Sequence, residues 1–91
     1  MRNDPRYLSL KYLIKKGDIT TFKEIFYHIP YTVVANDLHT NNNRMKRLIE
    51  NPEQFSLEEL YILADLIGYD SKKFVLFVMR DTWGKIKNPG S

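Results

Sequence analysis

Residues 32–51 read TVVANDLHTNNNRMKRLIEN, and their pattern decides the fold. Val33, Val34 and Leu38 fall on one side of a short helix opened by Tyr31 or Thr32, and Ala35 is small enough to let a neighbouring helix come close. His39, Thr40 and Asn41 break that helix. A second one runs from Asn41 or Asn42 to Ile49 with Met45, Leu48 and Ile49 as its apolar positions, and Asn51-Pro52 closes it. Its other face carries Asn43, Arg44, Lys46, Arg47 and Glu50 and is mostly basic.

Helical spacing continues in both directions. Upstream, Asp4 and Pro5 supply a cap and first position for a helix to about Lys16, with Leu8, Tyr12 and Leu13 expected on its inner face and Tyr7 beside them. Gly17 and Asp18 stop it. Thr20 or Thr21 caps a helix in which Phe22, Ile25, Phe26 and Ile29 repeat at i, i+3, i+4 and i+7, and Pro30 ends it. Downstream, Ser56 followed three residues later by Glu59 is a capping box, with Phe55 placed to staple onto Leu60. Leu57, Leu60, Leu63, Ala64 and Ile67 form the inner side of the helix it starts, Glu58, Glu59 and Asp65 lie largely outward, and Gly68 ends it.

Asp70 or Ser71 caps a last helix containing residues 74–79. That run of six apolar residues also reads as a strand, but the preceding Asp-Ser-Lys-Lys favours helix. From Trp83 onward Gly, Pro and Lys predict a loosely held tail. The expectation is an all-α protein of five to six helices: an N-terminal helix over 1–18, a domain over 19–80 and a flexible tail over 81–91.

Composition narrows the function. With 91 residues the chain forms one domain, and 43% apolar residues provide a modest core that argues against disorder. No apolar run approaches the ~18 residues of a membrane span, and the N-terminus lacks the hydrophobic stretch of a secretory signal, which points to the cytosol. The absence of Cys excludes disulfides, thiolate zinc sites and a cysteine nucleophile, and four glycines leave no phosphate-cradling loop. His28 and His39 sit in no recognisable nucleophile, metal or acid-pair motif, so no enzyme, cofactor, metal or small-molecule substrate is expected. The net charge of +3 is unevenly distributed. Residues 1–52 carry nine bases and five acids, 53–70 five acids and no base, and 71–91 five bases and one acid. An anionic partner therefore meets only part of the surface.

The helix after the break has residue types suited to duplex DNA. Asn pairs with the adenine edge, Arg with guanine, and Lys or Arg neutralises phosphate. Asn43 and Arg47 point most directly away from Met45, Leu48 and Ile49, so Asn42, Asn43, Lys46 and Arg47 are candidates for base edges and Arg44 for phosphate. Asn41 to Asn43 also bring backbone N–H groups and the positive helix end towards a phosphate. Taken alone, the same residues also read as a cap, a polar turn and a solvated face.

The order of elements over about 19–78 resembles the Cro and lambda-repressor type of helix-turn-helix domain, a five-helix fold. Val34-Ala35-x-x-Leu38 is similar to the family's second helix, His39 stands where the family usually has the turn glycine, and Met45 takes the apolar position of the third helix. Phe55-Ser-Leu-Glu-Glu-Leu-Tyr-Ile-Leu-Ala-Asp-Leu-Ile-Gly is similar to the fourth helix. The resemblance implies a divergent double-stranded-DNA-binding regulator that reads the major groove through residues 42–47, with Thr32 and Asn41 also in the contact set. The glutamine common at the start of the family's second helix is replaced by Tyr31 and Thr32.

With Phe74, Phe77 and Val78 in the core, Val75, Leu76 and Met79 need cover. The N-terminal helix or a second subunit supplies it, the latter making a homodimer through these three residues. The alternative function is a protein-interaction module, adaptor or antitoxin-like, that uses the 74–79 surface.

Overall fold

The computed structural model describes residues 4–87, and every regular element among them is helical. Helix α1 spans Arg6–Lys16. The Asp4 carboxylate accepts the Arg6 backbone N–H at 2.9 Å and also the Arg6 guanidinium, which holds its pKa down to about 2. At the other end Gly17 takes φ 85°, the left-handed region, and lets the Asp18 N–H return to the Leu13 carbonyl at 2.9 Å.

The buried face of α1 differs from the expected one. Tyr7, Leu10 and Ile14 are buried and Leu13 is partly so, whereas Leu8 and Tyr12 are 56% and 58% exposed. The helix holds two apolar stripes of comparable length, and a distant group decides between them. The Tyr7 hydroxyl donates to the Asp37 carboxylate at 2.7 Å, so its ring is buried with its polar end satisfied.

The expected helix over 22–29 is a 3₁₀ helix, Lys23–Tyr27. The Glu24 carboxylate accepts the N–H groups of Thr20 and Thr21 at 2.7 and 3.0 Å, tightening the turn, and Pro30 forbids extension. Phe22, Ile25 and Ile29 are still buried. Phe22 meets Phe26 and Phe55 edge-on, with centroids at 5.2 and 5.4 Å.

Helices α2 (Tyr31–Asp37) and α3 (Asn42–Glu50) follow, then a 3₁₀ turn Pro52–Gln54, α4 (Leu57–Ile67) and α5 (Ser71–Lys87). The capping box at Ser56 and Glu59 is formed in both directions, and Gly68 ends α4 at φ 82°. Asp70 caps α5 by accepting the Lys73 N–H at 3.0 Å. The run 74–79 is helical, with Phe74, Phe77 and Val78 buried.

The tail expected from 81 is in part a correction. Helix α5 continues to Lys87, and buried Thr82 donates its hydroxyl to the Met79 carbonyl at 3.1 Å. One glycine costs a helix only about 1 kcal/mol, so Gly84 does not stop it, and the next proline after Pro52 is Pro89. The remainder of the expected tail lies outside the described residues. Helix α1 packs on α4, α4 on α5 and α2 on α3, and the Pro52–Gln54 turn bridges α3 to α5. Tyr7, Leu10 and Ile14 join the same core cluster as Phe74 and Val78, so α1 is built into the domain and does not precede it.

Candidate nucleic-acid interface

Four residues, 38–41, connect α2 to α3. His39 takes φ 58°, the left-handed conformation that glycine adopts most easily, and the Thr40 N–H returns to the Ala35 carbonyl at 2.9 Å. The turn therefore keeps its shape at some backbone cost, which His tolerates better than a β-branched residue. Val34 and Ala35 on α2 and Met45 and Leu48 on α3 are fully or almost fully buried, which sets how α3 rolls about its axis.

The side chains of α3 then sort by role. Asn41 accepts the Arg44 N–H at 2.7 Å and is the N-cap, so that N–H of the first turn is already satisfied within the helix. Asn42, Asn43, Lys46 and Arg47 are exposed together, as expected for one outward face. Among the described residues the side chains of Asn42, Asn43 and Arg47 make no hydrogen bond or ion pair, while the backbone carbonyl of Arg47 accepts from the Asn51 side-chain amide at 3.2 Å. Lys46 Nζ lies 5.5 Å from the centre of the Tyr31 ring, and exposed Thr32 is the next residue on α2, so the start of α2 borders this face.

Arg44, the residue expected at a phosphate, is engaged within the protein. Its guanidinium donates to both Glu59 oxygens, at 2.5 and 3.0 Å, and to the Thr40 hydroxyl at 3.2 Å. A bidentate pair of this kind joins α3 to α4 and makes Arg44 a strut between them. The Arg44 guanidinium brings the Glu59 pKa down to about 2, and the Ser56 N–H and hydroxyl add to the effect. Glu50, the acid on α3, sits 3.0 Å from Lys23 and ties the end of α3 to the first 3₁₀ helix.

The outward face of α3 thus presents amide and cationic groups with its neighbouring acid already paired. Sequence reasoning missed Tyr31 as the ring beside Lys46 and Glu59 as the partner of Arg44. The pair is 15 residues apart, and no local pattern announces it. Among the described residues no group of three or more His, Asp or Glu could hold a metal ion, and no helix is long and apolar enough to cross a membrane. Compared with known proteins, the chain matches no family model, no curated protein and no solved structure.

Proposed function

We propose that the chain is a lambda-repressor-like helix-turn-helix domain that binds double-stranded DNA sequence-specifically, a transcriptional regulator of phage or mobile-element type. The observation that carries the reading is the outward face of α3, where Asn42, Asn43, Lys46 and Arg47 are exposed together while Met45 and Leu48 anchor the opposite side. In this mode α3 lies in the major groove. Asn43 and Arg47 read base edges, Asn42 and Lys46 flank them, and Thr32 approaches the backbone from the start of α2.

The test is binding to random-sequence duplex at two salt concentrations. Affinity is expected to fall with a slope of about −0.9 per phosphate neutralised, and no binding at ~50 mM salt overturns the proposal. Replacing Asn43 and Arg47 together by Ala is expected to relax specificity and to cost about 1–3 kcal/mol per lost base contact. Unchanged affinity in that variant moves the interface elsewhere. The second reading, a protein-interaction module, draws on Leu76, which is 64% exposed on α5, and predicts no salt-dependent DNA binding.

A further inference from the structure

Two surfaces outside α2 and α3 are complementary to each other. The first is an open groove of about 390 Å³ between the end of α1 and the start of α5. Ile14, Ile19, Phe77 and the exposed Leu76 give it apolar walls, and Lys73 and Arg80 stand on it as cations. Arg80 is held in place, donating to the Thr20 carbonyl at 3.2 Å with its guanidinium 5.6 Å from the centre of the Phe77 ring. A smaller hollow of about 170 Å³ adjoins it through Tyr69 and Lys73 and adds Lys11 and Lys15. Its acid, Asp70, is engaged as the cap of α5.

The second surface is the outer stripe of α4. Leu57, Tyr61 and Ile62 are exposed large apolar residues, and Glu58 and Asp65 are exposed between and beyond them. These five positions share one side of a helix, opposite the buried stripe Leu60, Leu63, Ala64 and Ile67. No base occurs anywhere in residues 53–70.

We infer that the groove between α1 and α5 receives the outer stripe of α4 from a second copy of this chain. The groove cannot be filled by its own α4, because α4 turns its buried stripe towards α1 and α5 and its outer stripe away from them. Apolar side chains from the stripe cover Leu76 and the groove walls, while Glu58 and Asp65 meet Lys15, Lys73 and Arg80 at the rim. Wet apolar patches flanked by charges of opposite sign are the usual form of an association surface. Because the two surfaces differ, the contact is heterologous and continues head to tail unless two copies engage each other reciprocally. The stripe borders the face of Val75 and Met79, which line another groove with Phe55, Leu60 and, from the stripe itself, Leu57. The inference does not depend on DNA binding and is tested without it.

Sedimentation velocity of the full chain, up to millimolar concentration, tests the contact at about 0.01 M and about 1 M salt, between which the screening length falls from about 30 Å to about 3 Å. The average mass is expected to rise with concentration at low salt and to return towards the monomer at high salt. A Lys15→Glu, Lys73→Glu variant and a Glu58→Lys, Asp65→Lys variant are each expected to stay monomeric at low salt. Their equimolar mixture is expected to associate, since one retains the native stripe and the other the native groove. All four positions are exposed. Circular dichroism checks folding, and Asp65→Lys alone replaces the second variant if the double change unfolds α4. A monomeric wild type at low salt overturns the inference. So do charge-reversed variants that associate as the wild type does, or a mixture that stays monomeric.

Discussion

His39 concentrates the conformational demand of the turn in one residue. At φ 58° its Cβ approaches the following carbonyl, a conformation costing most residues about 1–2 kcal/mol and glycine almost nothing. His39→Gly is therefore expected to raise stability by up to about 1 kcal/mol in urea melts, the strain relief exceeding the extra entropy that glycine loses on folding. His39→Val is expected to lower it by about 1–2 kcal/mol, because branching at Cβ worsens the same clash. A valine variant as stable as the glycine variant would show that the turn does not need this backbone conformation. The turn's position was legible from the sequence, because Leu38 ends one apolar pattern and Met45 begins the next. The left-handed backbone was not, since His in place of glycine signals the opposite and only the return of the Thr40 N–H to Ala35 requires it.

The elements were most legible where one residue acts on its own neighbourhood. Asn41, Ser56 and Asp70 cap the helices that follow them, and Gly17 and Gly68 end the ones before, because each signal works within a turn of chain. What joins one element to the next was hidden. Arg44 and Glu59 are the clearest case, and their linkage has a pH signature. The Glu59 carboxyl titrates at about 2 in the folded protein against an ordinary value of 4.5. A depressed carboxyl stabilises the fold fully above the unfolded value, and that contribution disappears as the pH falls from about 4.5 through about 2. It is expected to be about 1–2 kcal/mol, less than the whole shift implies, because the Arg44 side chain is 35% exposed and water screens the pair. Asp4 and Glu24 are depressed in the same direction, so the measurement compares wild type with Glu59→Gln across this window. Parallel stability curves for the two proteins would refute the linkage.

On the scale of the whole molecule, the first helix changes standing. The resemblance over about 19–78 left residues 1–18 as an extra helix, and no local signal says which of its two apolar stripes faces inward. The hydrogen bond from Tyr7 to Asp37 spans 30 residues and settles the choice. If α1 belongs to the core, Leu10→Ala is expected to cost about 2–5 kcal/mol. Leu8→Ala, at an exposed position two residues away, is expected to stay within about 0.5 kcal/mol. Equal effects in thermal melts would return α1 to the role of an appendage. The all-α class, the helix order and the outward position of Asn42, Asn43, Lys46 and Arg47 were readable, because helical spacing repeats within each segment. The reach of α5 past residue 80 was not, since composition marks Gly84 as a breaker while helix continuity tolerates it.

The carboxylate of Glu59 also governs how mutational data on α3 should be read. It accepts the Ser56 N–H in the cap of α4 and holds the strut to α3 at once, so removing Arg44 strips a partner from an anion beside the face proposed to meet phosphate. If α3 meets DNA as proposed, Arg44→Ala would weaken binding by electrostatic repulsion from Glu59 even where Arg44 is no phosphate ligand. A double-mutant cycle with Glu59→Gln separates the two effects. A direct ligand keeps its full penalty in the Gln background, whereas a strut loses most of it.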